Sequence, residues 1–222
     1  MTDELKNTNP EDIEDLLVKV ETSFGISFAE NELAHIKTFG ELSDYVSDKI
    51  QLDKSDDCTT QQAFYKLRNV VADIFQLDIK TLTPASELTE LFPQKNRQLW
   101  TRQIEQQLDF KLHLLRPPNW VTWTLTVTLI TSFFLIFFYW QAGLFGLIFS
   151  ILAFKIAIKL ENELDFQTLG QLAEKMTRDN YLKSRRNSKT FNKREIENVL
   201  TDLFVNNLSL DRHLLTREAT FV

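Results

Sequence analysis

The chain has 222 residues, a formal net charge of −6 and a single cysteine, Cys58. One cysteine excludes an internal disulfide framework and a cysteine-rich zinc site. The length allows two small domains or one larger one, and 18 phenylalanines in a chain that is 43% apolar are those of a folded protein. The net acidity hides an asymmetry: residues 1–58 hold 15 Asp/Glu against 5 Lys/Arg, whereas residues 178–194 hold seven Lys/Arg against one acid. No basic-aromatic pattern points to nucleic acid, and none is expected as a partner. The polar, acidic start MTDELKNTNPED has no signal-peptide character.

Taken in order, the chain first predicts a helix in which Ile13, Leu16, Leu17, Val20 and Phe24 recur at helical spacing. Asn9 suits its cap, Pro10 its first position, and Glu11 and Asp12 its positive end. The polar run 53–58 reads as a linker that holds Cys58 as an exposed thiol. Phe64, Leu67, Val70, Val71, Ile74 and Phe75 form a second stripe, and Trp100, Ile104 and Leu108 a weaker one. Residues 178–193 read as a basic linker, either solvated or touching anionic lipid on the cytoplasmic face. Ile196, Val199, Leu200, Leu203, Phe204 and Leu208 form the cleanest stripe of all. With no alternating strand pattern in the soluble parts, the expected class is all-α.

The strongest signal is the run from Trp120 to Phe154, which carries no charge. It is too long for one span of about 20 residues and suits two. Residues 119–160 therefore predict a transmembrane helical hairpin turning at Gln141, Ala142 and Gly143. Trp120 and Trp123 are expected at one membrane interface and Tyr139 and Trp140 at the other, with Lys155 and Lys159 reaching back to the first. Positive charges stand only at the outer ends, so a two-pass protein with both soluble flanks in the cytoplasm, of a bacterial inner membrane, is the expectation. Gly143 and Gly146 fit close packing of the two helices.

Three fragments add a resemblance. Residues 9–50, through Phe24-Gly25-Ile26, the acidic AENELAHIK and Thr38-Phe39-Gly40-Glu41-Leu42, resemble helices II to IV of an acyl carrier protein. Residues 194–222, ending in Thr216 through Val222, resemble that family's helix I and the loop after it. Together they imply a circularly permuted carrier-like domain, residues 1–52 plus 194–222. FYKLRNVVADIFQLDIKTLTPASELTEL (64–91), FPQKNRQLWTRQIEQQLDFKL (92–112) and LDFQTLGQLAEKM (164–176) resemble a second copy, interrupted by the hairpin: residues 60–118 plus 161–177.

Members of that family carry a phosphopantetheine on a serine at the start of helix II. Here the matching positions fall near Pro10 and Gln94, where no hydroxyl stands, so no cofactor is implied. Ser209-Leu210-Asp211 mimics the attachment motif, but too little chain follows it, and Ser209 reads as a loop residue. His35, His113 and His213 are scattered and pair with no visible nucleophile or metal-ligand set, so no catalytic residue and no metal is expected. The family meets its enzymes through an acidic helix II, and the resemblance implies a partner-binding face at Glu11, Asp12, Glu14, Asp15 and Glu21. The second copy has Lys95, Arg97 and Arg102 in the equivalent helix and has lost that face. The resulting expectation is a non-catalytic, membrane-anchored adaptor for a protein partner of acyl-chain or lipid metabolism. An active carrier modified at an unrecognised hydroxyl and a structural subunit of a membrane complex remain open, as does self-association of the chain.

Overall fold

The structure, a computed structural model, describes residue 5, residues 8–159 and residues 161–221, with Ile158 and Lys159 as backbone only. Helix accounts for 62% and strand for 6%, in keeping with the all-α expectation. Ten α-helices are formed among the described residues: α1 (Pro10–Phe24), α2 (Phe39–Lys49), α3 (Thr59–Phe75), α4 (Leu88–Leu91), α5 (Arg97–Leu108), α6 (Asn119–Leu135), α7 (Trp140–Lys159), α8 (Leu169–Asp179), α9 (Tyr181–Ser184) and α10 (Lys193–Leu208). Four two-residue strands join them: β1 (Asp53–Lys54) parallel to β4 (Thr190–Phe191), and β2 (Leu115–Arg116) antiparallel to β3 (Glu163–Leu164). The chain divides into two compact units, Met1–Pro84 with Gly170–Val222, and Ala85–Leu169.

In the first unit, α1 starts as its sequence dictates. The Asn9 side chain accepts the Glu11 N–H, Pro10 occupies the first turn, and Gly25 ends the helix in the left-handed region at φ 59°. A full capping box, Thr38 with Glu41, starts α2. α10 packs against both α1 and α2. Leu16, Val20 and Phe24 of α1, Phe39, Leu42 and Val46 of α2, and Ile196, Leu200, Leu203 and Phe204 of α10 share one buried core. The rings of Phe39 and Phe204 meet edge to face at 5.2 Å. The tail after α10 closes the core: the Phe39 N–H donates to the Ala219 carbonyl at 2.9 Å, the Gly40 N–H to Arg217 at 2.8 Å and the Phe221 N–H to Lys37 at 3.0 Å.

The segment 178–193, expected as a basic linker, folds into this unit. Tyr181 is fully buried and Arg185 is 2% exposed. Arg185 Nη1 donates to the Thr59 hydroxyl and lies 3.8 Å from the Glu195 carboxylate. Tyr181 donates its hydroxyl to Glu195 at 3.1 Å. Cys58 offers α3 no side-chain cap, and the Glu195 carboxylate accepts the Thr59 N–H at 3.0 Å in its stead. A charge with this many partners is tolerated inside, which is why the burial of Arg185 left no apolar signature.

In the second unit, α6 and α7 pack antiparallel, with β2 and β3 joining the chain on either side of them. Both glycines of α7 sit at the contact: a Cβ on Gly143 would lie 2.5 Å from the Ile136 backbone nitrogen, and one on Gly146 2.2 Å from Ser132 Oγ. The hydroxyls of Thr124, Thr126, Thr128, Thr131 and Ser132 each donate to the carbonyl four residues earlier, so an apolar helix carries them without loose donors.

The two-pass expectation is corrected here. Only α7 among the described helices is long and apolar enough to cross a bilayer, over Trp140–Ala157, with a mean hydropathy of 1.6 and 17% of that window buried. α6 has 17 residues, about 25 Å of helix, against a hydrocarbon thickness of about 30 Å. The turn comes early, through residues 136–139, while Gln141, Ala142 and Gly143 lie within α7. The assignment of both flanks to the cytoplasm, and to a bacterial inner membrane, rested on two crossings and falls with them.

The same local geometry occurs twice. Gly25 ends α1 and Asp109 ends α5 in the left-handed region, and in each case a carboxylate in the last turn, Glu21 or Glu105, accepts the N–H seven residues on, at Phe28 or Leu112. Ser209 after α10 and Gln76 after α3 share φ 53°. Two residues later, Asp211 and Asp78 accept the N–H groups of His213 and Lys80 at 3.0 and 2.9 Å. The isolated bridge Thr38↔Thr220 is matched by Glu87↔Thr168. Beside them, the Gly40 N–H meets the Arg217 carbonyl at 2.8 Å and the Gly170 N–H meets that of Pro84 at 2.9 Å.

Candidate interaction surfaces

On α1, Glu11, Asp12, Glu14 and Asp15 are all exposed. Glu21 is not free: it is half-buried and its carboxylate accepts the Phe28 N–H, pinning the loop after α1. A groove of about 290 Å³ runs beside the helix, between Glu14, Leu17, Val18 and Glu21 on one wall and Phe28, Leu33 and Ala34 on the other. Its lining is mainly apolar and includes the carboxylate residues Glu14, Glu21 and Glu32. Glu11, Asp12 and Asp15 extend the acidic surface but do not line the groove.

Glu32 belongs to a cluster that the sequence reading missed. Its carboxylate accepts from the Lys49 ammonium, the Tyr45 hydroxyl and the Ala29 N–H. The Lys49 hydrogen bond first, then those from Tyr45 and Ala29, hold its pKa at about 2 instead of 4.5. Lys49 in turn lies 5.6 Å from the Phe28 ring centre, so this charge is fixed in place. The spacing 32–45–49 crosses from a loop to a helix and follows no single period, so no local pattern marked it.

Pro10 is the first residue of α1, and Gln94 opens a 3₁₀ turn, Gln94–Asn96, before α5. Neither position presents a hydroxyl. Ser209 caps the C-terminus of α10, not the start of a helix. His35 stacks edge-on with Tyr45 at 5.6 Å, and the His213 N–H is held by Asp211. Among the described residues no group of three or more His, Cys, Asp and Glu is placed to hold a metal.

No protein-family model, curated protein or solved structure matches this chain.

The hairpin surface is apolar and open. Trp120 and Trp123 are each 71% exposed at the start of α6, and Tyr139 and Trp140 are exposed at the far end. Phe133, Phe134, Phe137, Phe138, Phe145 and Phe149 are exposed between and around them. Lys155 is exposed on the last turns of α7, and the Lys159 side chain lies outside the described residues. An apolar surface of this extent on a folded unit marks a contact with lipid or protein.

A second cavity, about 460 Å³, opens where α5 begins, lined by Gln94, Lys95, Asn96, Arg97, Gln98, Leu99, Arg102 and Asn162. It holds three cations and no carboxylate.

Proposed function

We propose that the protein is a non-catalytic adaptor. The α6–α7 hairpin docks into a lipid bilayer, and the acidic groove beside α1 receives a basic, partly apolar segment of a partner protein. The observation that carries this reading is the groove itself. Its apolar lining offers burial to an incoming side chain, and the exposed Glu14 supplies attraction beside it. Three further exposed acids on α1, Glu11, Asp12 and Asp15, extend the field that would steer a basic partner. The carrier-like resemblance names acyl-chain or lipid metabolism as the partner's field. The absence of a hydroxyl at Pro10 and Gln94 supports recruitment over carriage.

The test is purification from the native host in mild detergent, comparing the unaltered chain with a Glu14→Lys/Asp15→Lys variant. An acyl-processing enzyme that co-purifies with the first and not the second is the expected result, and the loss should be matched by raised salt. A chain whose intact mass includes a phosphopantetheine, or a partner indifferent to both charge reversals, would overturn the adaptor reading.

A further inference from the structure

The cavity at the start of α5 is built unlike an ordinary solvated surface. Lys95 and Arg102 are exposed, and among the described residues neither they nor Arg97 forms an ion pair. Arg116, nearby in the chain, has carboxylates of Glu163 and Asp165 at 3.9 Å. Arg97 is half-buried and anchored through two backbone carbonyls, Nε to Phe92 at 3.1 Å and Nη1 to Asn162 at 2.6 Å. Burial pushes its pKa down from the ordinary arginine value, and the nearby Glu163 carboxylate opposes that shift in part. The cavity thus gathers three cations, Lys95, Arg97 and Arg102, in a lining without a carboxylate, with Glu163 acting on Arg97 from outside that lining.

Its wall is also the foot of the hairpin. Asn162 stands three residues beyond the end of α7, and its amide donates to the Gln94 carbonyl at 3.1 Å. The Gln98 amide donates to the Glu161 carbonyl at 2.6 Å. β2 and β3 then pair Arg116 with Glu163, tying the segment entering α6 to the segment leaving α7. A hairpin whose aromatic surface enters lipid leaves its foot at the level of the headgroups.

We infer that the Lys95–Arg97–Arg102 cavity binds the phosphate of an anionic lipid headgroup. This rests on the bilayer contact proposed above, and extends it from an apolar anchor to a headgroup-selective one. Arginine forks suit phosphate oxygens, and Lys95 and Arg102 can close on them from the open side. Free phosphate shares the chemistry, but the apolar hairpin joined to the cavity points to the lipid-borne form.

The full-length chain is mixed with vesicles of phosphatidylcholine alone or of phosphatidylcholine with phosphatidylglycerol, and the bound fraction is read after flotation. Inorganic phosphate is tested separately, both as competitor and by direct calorimetric titration. The variant is Lys95→Gln/Arg102→Gln, which leaves the anchored Arg97 in place; circular dichroism checks its fold, and Lys37→Gln/Lys54→Gln is the charge-matched control. The expected result is tighter binding to the anionic vesicles, reduced about tenfold to thirtyfold in the variant and unchanged in the control. Equal binding of both vesicle types, or a folded variant that keeps the preference, would overturn the inference. Saturable inorganic phosphate binding without preference for anionic vesicles would overturn the lipid assignment. Failure to bind any vesicle would overturn the bilayer contact, and the headgroup site with it. The Glu14→Lys/Asp15→Lys variant should keep its vesicle preference, so failure of partner recruitment is read separately.

Discussion

Truncating Phe204 should loosen a helix that lies at the other end of the chain. Phe204 is fully buried on α10, with Phe39 at 5.2 Å edge to face and Phe221 at 6.0 Å. Phe204→Ala removes a core ring, for which about 3–5 kcal/mol is the usual loss. Because Leu16, Val20 and Phe24 of α1 belong to the same core, that loss should fall on α1 and α2 as well as on α10. At about 1.4 kcal/mol per tenfold, their amide hydrogens should exchange about two to three and a half orders of magnitude faster. Hydrogen-exchange mass spectrometry on the full-length chain in detergent resolves these segments by peptide. A Phe39→Ala/Phe204→Ala cycle adds a second reading, a coupling of about 1 kcal/mol from the aromatic pair. Loss of protection confined to α10, with α1 and α2 unchanged, would refute a core shared by residues some 165 positions apart in sequence.

Two further outcomes follow from the same unit. Glu32 has a folded-state pKa of about 2 and an ordinary value of 4.5, so between those pH values the unfolded chain takes up a proton that the folded chain does not. Its stabilising contribution is present above about pH 4.5 and is lost as pH falls toward 2; the denaturation midpoint should drop across that window, and Glu32→Gln should flatten the drop. A Glu32→Gln chain with the same acid slope would rule this out. Gly→Ala inside a helix ordinarily stabilises. Gly40→Ala and Gly170→Ala should do the opposite, because the new Cβ would lie 2.8 Å from the Arg217 carbonyl oxygen and 2.9 Å from that of Pro84. A loss of about 1–3 kcal/mol in each, read as a lower thermal midpoint, is expected; a gain in either would remove the close approach from the account.

Much of the first unit's fold was legible because its helices have one buried face. Leu16, Val20 and Phe24, and Ile196, Leu200 and Phe204, are the residues that helical spacing picks out, and all are buried. The packing of α10 against α1 and α2 joins segments that no local spacing relates. What was missed depends on contacts between distant, unlike residues. Nothing near Arg185 in sequence announces that Thr59 and Glu195 will receive it. Nothing near Glu32 announces Lys49. The hairpin turn was misplaced for a related reason. Residues 136–139 are Ile-Phe-Phe-Tyr, with no turn-forming side chain, whereas Gln-Ala-Gly at 141–143 looks like a turn. Gly143 admits the close approach of Ile136 and makes no turn. Of the predicted partner face, Glu11, Asp12, Glu14 and Asp15 are where an acidic helix would leave them, and Glu21 serves the loop instead.

The repeated corner clarifies what the sequence has to specify. At Lys37–Gly40 the helix-starting segment precedes its bridge partner, Arg217–Phe221, in the chain. At Gln167–Gly170 it follows its partner, Pro84–Leu88. The hydrogen bonds are the same although the order of connection is reversed. The corner is therefore set locally, by a threonine before a Gly that admits a backbone oxygen, and not by which end of the chain arrives first. α1 and α5, which share a left-handed end and a carboxylate-pinned loop, differ in charge. α1 presents Glu11, Asp12, Glu14 and Asp15, whereas the start of α5 presents Lys95, Arg97 and Arg102. An anionic headgroup layer would repel the first and attract the second, and only the second shares its unit with the apolar hairpin. On the reading proposed above, that sorting of charge leaves α1 to a basic protein and commits α5 to the lipid.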